Sequence, residues 1–173
     1  MITRNDRTPL ALGAAAVVLA ASGFWALQQA GDLRDDPAVR NVALTDTAGT
    51  SEVKGAVSDM FGKVFSYNYT DPAKTQKAQR DFLTGAAVGQ YEKLFADVRT
   101  QAPQHKTVLT TTVTQSAVTT LRDGRARLLL FADQRTTRTT DGRTSTAAAM
   151  LAVDAARSGG TWKITGLSTF PTP

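Results

Sequence analysis

KTVLTTTVTQSAVTTL (106–121), RARLLLFADQRTTRTT (125–140), TSTAAAMLAVDAAR (144–157) and WKITGLSTF (162–170) decide the fold. These stretches are rich in Thr, Val and Leu, residues that suit a pleated, half-buried surface, and they predict four strands. Asp123-Gly124, Asp141-Gly142 and Ser158-Gly159-Gly160 separate them. Turns this short join antiparallel neighbours, so the strands are expected to form a four-stranded meander in chain order. Leu109, Val113, Ala117 and Leu121 are expected on one face of the first strand. Leu128, Leu129, Leu130 and Phe131 are apolar on both sides, which predicts a central place for the second. Thr110, Thr112, Thr114, Thr136, Thr137, Thr139 and Thr140 suit an exposed sheet surface or the ends of protruding hairpins. Trp162 and Ile164 alternate onto one face, where the indole is expected to meet Met60, Val64 and Phe65.

Upstream of the strands the apolar period is helical. Val53, Ala56, Val57, Met60, Phe61, Val64 and Phe65 form one stripe, with Thr50 or Ser51 available as the cap. Asp71 before Pro72 is a helix-start signal for a second, shorter helix ending near Phe82. Val88, Tyr91, Leu94, Phe95 and Val98 mark a third, expected to stop at Pro103. Helices first and strands after predict an α+β domain, with the helices on one face of the sheet.

The N-terminal part reads differently. LALGAAAVVLAASGFWAL, from Leu10 to Leu27, carries no charge. As a helix at about 1.5 Å per residue it spans roughly 27 Å, close to the thickness of a bilayer core. Arg4 and Arg7 precede it and Asp32, Arg34, Asp35 and Asp36 follow it, so the Lys/Arg bias predicts a cytoplasmic N-terminus. Gln28 stands where a signal-peptide cleavage site needs a small residue, which favours an uncleaved anchor. The expected organisation is a cytoplasmic head (1–9), a single transmembrane helix (10–27), a stalk (28–49) and an extracytoplasmic α+β domain (50–173).

The chemistry-bearing residues are sparse. The chain of 173 residues has no Cys and one His, so a disulfide framework, a thiolate metal site and a cysteine nucleophile are excluded. His105 is expected to be a loop residue beside the first strand. No nucleophile elbow, phosphate loop or dinucleotide-binding glycine pattern is present. Asp133 and Asp154 lie within apolar strands, where they either point into a cavity between helices and sheet or face solvent, Asp133 in an ion pair with Arg135 or Arg127. Lys74, Lys77 and Arg80 recur along the second helix as a solvated face. Asn68-Tyr69-Thr70 matches the short glycosylation pattern, and Tyr67 and Tyr69 are expected to wedge helix against sheet. The 20 Lys and Arg and 15 Asp and Glu give a net charge of +5, scattered singly, which argues against nucleic acid as a partner. No catalytic, cofactor-binding or metal-ligating residue is assigned, no cofactor is expected, and the chain is read as a non-enzyme.

Taken in order, the basic head, the apolar run, FSYNYTD (65–71), DFLTGAAVGQYEKLF (81–95) and GGTWKITGLSTF (159–170) resemble the Mce-associated membrane protein family. The resemblance covers nearly the whole chain from the anchor on, with a shorter cytoplasmic head and a modest stalk. It implies a nuclear transport factor 2-like (cystatin-like) fold, in which a curved antiparallel sheet wraps helices into a cone. It also implies an accessory role in an Mce-type lipid import complex of the bacterial envelope, through contacts with that complex or other envelope proteins and with lipid as a possible ligand. Two alternatives share the architecture: assembly proteins of type IV secretion systems, and lipid-binding or isomerase-like proteins that work in the cone pocket.

The charge bias yields a test of topology. A reporter fused after Thr50 is expected to be active only in its extracytoplasmic form; activity of a cytoplasm-only reporter there would reverse the orientation.

Overall fold

Asp46 starts the first helix, α1 (Thr47–Val64), by accepting a 2.8 Å hydrogen bond from the Gly49 amide. A carboxylate at this position satisfies one of the otherwise orphaned N-terminal amides. The computed structural model describes residues 41–170. The expected cap at Thr50 or Ser51 is therefore displaced upstream: Thr50 lies within the helix, and its hydroxyl donates to the Ala43 carbonyl at 2.8 Å. Ala43 is buried and the Val42 amide donates to the Leu121 carbonyl, so residues 42–49, read as the end of a stalk, pack as part of the folded unit. The transmembrane helix expected at 10–27 lies outside the described residues. Among those described, no helix is long and apolar enough to cross a membrane.

From α1 the chain passes through the two-residue strand β1 (Tyr67–Asn68) into α2 (Pro72–Phe82), capped by Asp71 with proline in its first turn. Next comes α3 (Ala86–Gln104). Its buried face is Ala87, Tyr91, Phe95 and Ala102, while Val88 and Leu94 of the expected stripe are exposed. Pro103 sits inside the last turn instead of ending the helix, and the His105 amide closes it onto the Gln101 carbonyl. Only one intrahelical donor is lost to the proline there, which a final turn tolerates.

The strands follow as read: β2 (Thr107–Arg122), β3 (Arg125–Arg138), β4 (Thr144–Ser158) and β5 (Thr161–Thr169). All neighbours pair antiparallel in the order β1-β2-β3-β4-β5, which puts β3 at the centre; the sheet has five strands instead of four because Tyr67 and Asn68 pair with Leu109 and Val108. Asp123 (φ +48°) and Gly124 (φ +67°) both take the left-handed conformation that a two-residue hairpin requires, and so do Gly159 and Gly160.

Two bulges in β2 revise its expected face. Register shifts between Val113 and Gln115 and between Val118 and Thr120 each insert one extra residue into β2, so Ser116 and Val118 replace Ala117 on the core side. Ala117 turns outward opposite Leu129. A slip of one residue moves every following side chain to the other face. Thr114 and Thr119 occupy the bulges, their hydroxyls donating to the Phe131 and Arg127 carbonyls.

The helices pack on one face of the curved sheet, with α1 against β2, α3 against β5 and α2 against α1. Their meeting point is aromatic. Phe61 stacks on Phe65 at 4.4 Å and Tyr91 on Phe95 at 4.9 Å, with Phe65 edge-on to both members of the second pair. The Tyr91 hydroxyl donates to the Val64 carbonyl at 3.1 Å. Burial pushes its phenol well above the usual tyrosine range, with Arg99 pulling weakly the other way.

Trp162 is buried as its alternation implies, but its polar partner is Glu52 in the N-terminal half of α1, not the Met60 end of the stripe. The indole N–H donates to Glu52 Oε1 at 3.2 Å, Arg157 pairs with the same carboxylate, and the guanidinium lies 5.3 Å from the indole centroid.

Trp162→Ala is expected to cost about 3 to 5 kcal/mol, the range for a buried large aromatic, measured as the change in unfolding free energy in urea. A loss below about 1 kcal/mol would remove Trp162 from the core. Tyr91 generates a pH prediction. Its folded pKa lies above the unfolded value of about 10, so the unfolded chain loses the proton first and stability falls as pH rises beyond that point, by about 1.4 kcal/mol per pH unit. Tyr91→Phe is expected to flatten this alkaline decline relative to wild type in denaturant titrations at about pH 8 and pH 11.

Candidate functional site

Pockets of this architecture open where the sheet curls away from the helices. Here the C-terminal half of α3 and the ends of β2, β3 and β4 bound a cleft of about 600 Å³. Val98, Ala102 and Leu109 supply its apolar lining, and Asp97, His105, Arg138 and Arg143 its charged or titratable groups. The arginines already have a counter-ion: the Asp141 carboxylate is 3.4 Å from Arg138 and 3.5 Å from Arg143. His105 is an exposed residue at the α3 cap, directly before β2. Among the described residues, no three His, Asp or Glu converge, and every buried side-chain polar atom has a partner. A general acid or base is expected to combine burial with a positioned partner, and the titratable side chains that line the cleft, Asp97, His105, Arg138 and Arg143, are all exposed.

The two strand carboxylates do not meet in a cavity. Asp133 pairs in register with Thr112 and Ala148 and is exposed on the face of the sheet away from the helices. Asp154 shares that face and stands 3.7 Å from Arg127, its register partner on β3. Alternation from the buried Leu128, Leu130 and Val153 puts both acids outside. Of the remaining candidates, Lys74, Lys77 and Arg80 are exposed, and Lys77 pairs with Asp81, holding that carboxyl below the usual range. Asn68 Oδ1 accepts from the Thr70 amide and hydroxyl in a local turn. Tyr67 joins the aromatic cluster against Phe95, and the Tyr69 hydroxyl accepts from Thr139 across the sheet end.

Sequence reasoning missed the outward apolar pair. Phe131 and Met150 sit directly opposite each other on β3 and β4, 40% and 39% exposed, on the face that the helices leave open. The half-buried Leu129 continues the patch along β3 with the buried Ala152 opposite it, Ala117 borders it on β2, and the Arg127–Asp154 pair and Asp133 stand beside it. The signal for it was the run 128–131, apolar on both faces: a central strand explains two of those side chains, and the other two need something else to cover them.

These features define the nuclear transport factor 2-like fold, helices packed on a curved antiparallel sheet. Several of the similar solved structures are type IV secretion proteins. An IcmL-like type IV secretion system protein from Legionella pneumophila superposes with a TM-score of 0.61 at 10% identity, covering 71% of this chain and 93% of the other. The periplasmic domain of DotI gives 0.57 at 14% identity, covering 70% and 95%. CagV, a VirB8 homolog of the Helicobacter pylori type IV secretion system, gives 0.53 at 11%, covering 70% and 99%. At these identities the likeness is one of fold. No family model matches the chain, and neither does any curated protein. The Mce-associated resemblance therefore rests on the sequence phrases alone.

Proposed function

We propose that this protein is a non-catalytic assembly subunit of a cell-envelope complex, of the kind represented by the type IV secretion proteins that share its fold. In this reading Leu10 to Leu27 anchors it in the cytoplasmic membrane with the cone domain outside. The observation that carries the proposal is the exposed Phe131–Met150 pair on the open sheet face. Large apolar side chains next to one another, bordered by ion-paired and polar residues, have the composition of an interface centre. In the cleft, by contrast, the titratable side chains are exposed, and Arg138 and Arg143 share the Asp141 carboxylate. An accessory role in an Mce-type complex is the second reading, supported by the order of the phrases at 65–71, 81–95 and 159–170.

The test uses the full chain in its own membranes. Phe131→Ser combined with Met150→Ser is expected to change folding stability by less than about 1 kcal/mol, because both side chains are already substantially exposed. The same pair of changes is expected to reduce severalfold the envelope proteins recovered with the chain by affinity isolation. Secretion-type components among them support the first reading, and lipid-permease subunits transfer it to the second. Undiminished recovery with the double variant overturns the proposed surface.

A further inference from the structure

The end of the sheet that carries the β2–β3 and β4–β5 turns is basic on its outer face. Arg122 and Arg125 are register partners across the Asp123-Gly124 turn, Arg125 faces Ala156 on β4, and Ala156 faces Lys163 on β5. Thr120, Arg127 and Asp154 form the next cross-strand row. The alternate residues Leu121, Ala126, Ala155 and Ile164 are buried, which puts both rows on the side away from the helices. Lys163 is engaged at the β5 edge, where its ammonium donates to the Asp81 carbonyl at 2.9 Å.

The small side chain of Ala156 leaves a hollow of about 510 Å³ in this face, lined by Arg122, Arg125, Arg127, Asp154 and the hydroxyl-bearing Thr120 and Thr165. Among the described residues, three guanidinium groups and one carboxylate line it, and that carboxylate, Asp154, is 3.7 Å from Arg127. Arg122 and Arg125 face each other directly. Like charges so placed cost stability, and an anion shared between them recovers it. A guanidinium presents paired N–H donors that match the oxygens of a phosphate group, so phosphate is the anion this hollow suits.

The same end is where the chain enters the folded unit. The Val42 amide donates to the Leu121 carbonyl at 2.8 Å, one residue from Arg122. At the opposite end of the sheet Arg138 and Arg143 share the Asp141 carboxylate. We infer that Arg122, Arg125 and Arg127 bind the phosphate groups of anionic lipid headgroups, at the surface of the membrane in which the chain is anchored. The inference rests on the anchored reading proposed above and adds to it a second, electrostatic contact with the bilayer. Such contacts depend on the fraction of anionic lipid and weaken with salt.

The test uses the full chain reconstituted in lipid vesicles. Because the chain has no cysteine, a single introduced cysteine carries one dye. Ser158→Cys, in the last residue of β4, reports the basic end, and Thr140→Cys, beside the β3–β4 turn, the opposite one. Energy transfer to an acceptor lipid at the bilayer surface is then measured. When phosphatidylglycerol replaces part of the phosphatidylcholine, transfer from position 158 is expected to rise about twofold while position 140 stays unchanged. Arg122→Gln with Arg125→Gln is expected to return position 158 to its phosphatidylcholine value. Arg138→Gln with Arg143→Gln, which removes the same charge at the other end, is expected to leave the rise intact. Circular dichroism with thermal melting checks that both double variants remain folded. Equal transfer in the two lipids, or equal loss from the two double variants, overturns the inference. Inorganic phosphate replacing chloride at equal ionic strength separates the sources: if it abolishes the rise, the hollow holds free phosphate and the headgroup assignment is overturned. Release of the chain from the vesicles by alkaline carbonate refutes the anchor and this inference with it, whereas retention without the rise refutes this inference alone.

Discussion

The cluster of Phe61, Phe65, Tyr91 and Phe95 is the constraint on which the rest of the domain depends. It is the place where α1 and α3, far apart in the chain, are locked to each other and to the sheet. Ring pairs of this kind add to the free energy of area burial because edge and face carry opposite partial charge. The Tyr91 hydroxyl lets the cluster sit over the end of α1, since it satisfies the Val64 carbonyl, one of the four that a helix C-terminus leaves without an intrahelical partner. Directly beyond it, the Thr111 hydroxyl bonds the Phe65 carbonyl and Thr75 bonds the Ser66 carbonyl. The chain thus leaves α1 with its backbone fully engaged, and β1 is delivered to the edge of β2.

That geometry also explains where contact is available. The helices are held tightly against one face, so the core side is filled and its polar atoms are paired. At the cleft rim Arg138 and Arg143 share the Asp141 carboxylate, along α2 Lys77 pairs with Asp81, and such exposed pairs contribute little to stability. On the other side, among the described residues, the cross-strand pair Phe131 and Met150 stands exposed. Fold alone does not set function.

The sequence was most informative where local chemistry decides the outcome. Strand boundaries came within a residue or two, because Asp123-Gly124 and Gly159-Gly160 adopt positive φ that few other residues accept. Asp71-Pro72 marked its helix to the residue for the same kind of reason. It was least informative where one extra residue changes everything downstream. Nothing in TTTVTQSAVTTL distinguishes a bulge at Thr114 from regular alternation, and the misplacement of Ala117 follows directly. The stripe of α3 was misread by one position at Val88 and Leu94, since two adjacent rows of a helix are equally apolar there and only the packing partner selects between them.

By itself, then, the sequence determined the class of fold, the order of the elements, the central place of β3 and the absence of any thiol or histidine cluster for catalysis, because these depend on composition, period and turn residues. Only the tertiary structure decided which carboxylates face solvent, that Asp46 and residues 42–49 belong to the folded unit, and that Glu52 binds the Trp162 indole. These depend on register and on which distant segments meet, and no local pattern encodes that: the same Thr-rich strand reads alike whether its edge is covered by another strand or by a glutamine side chain.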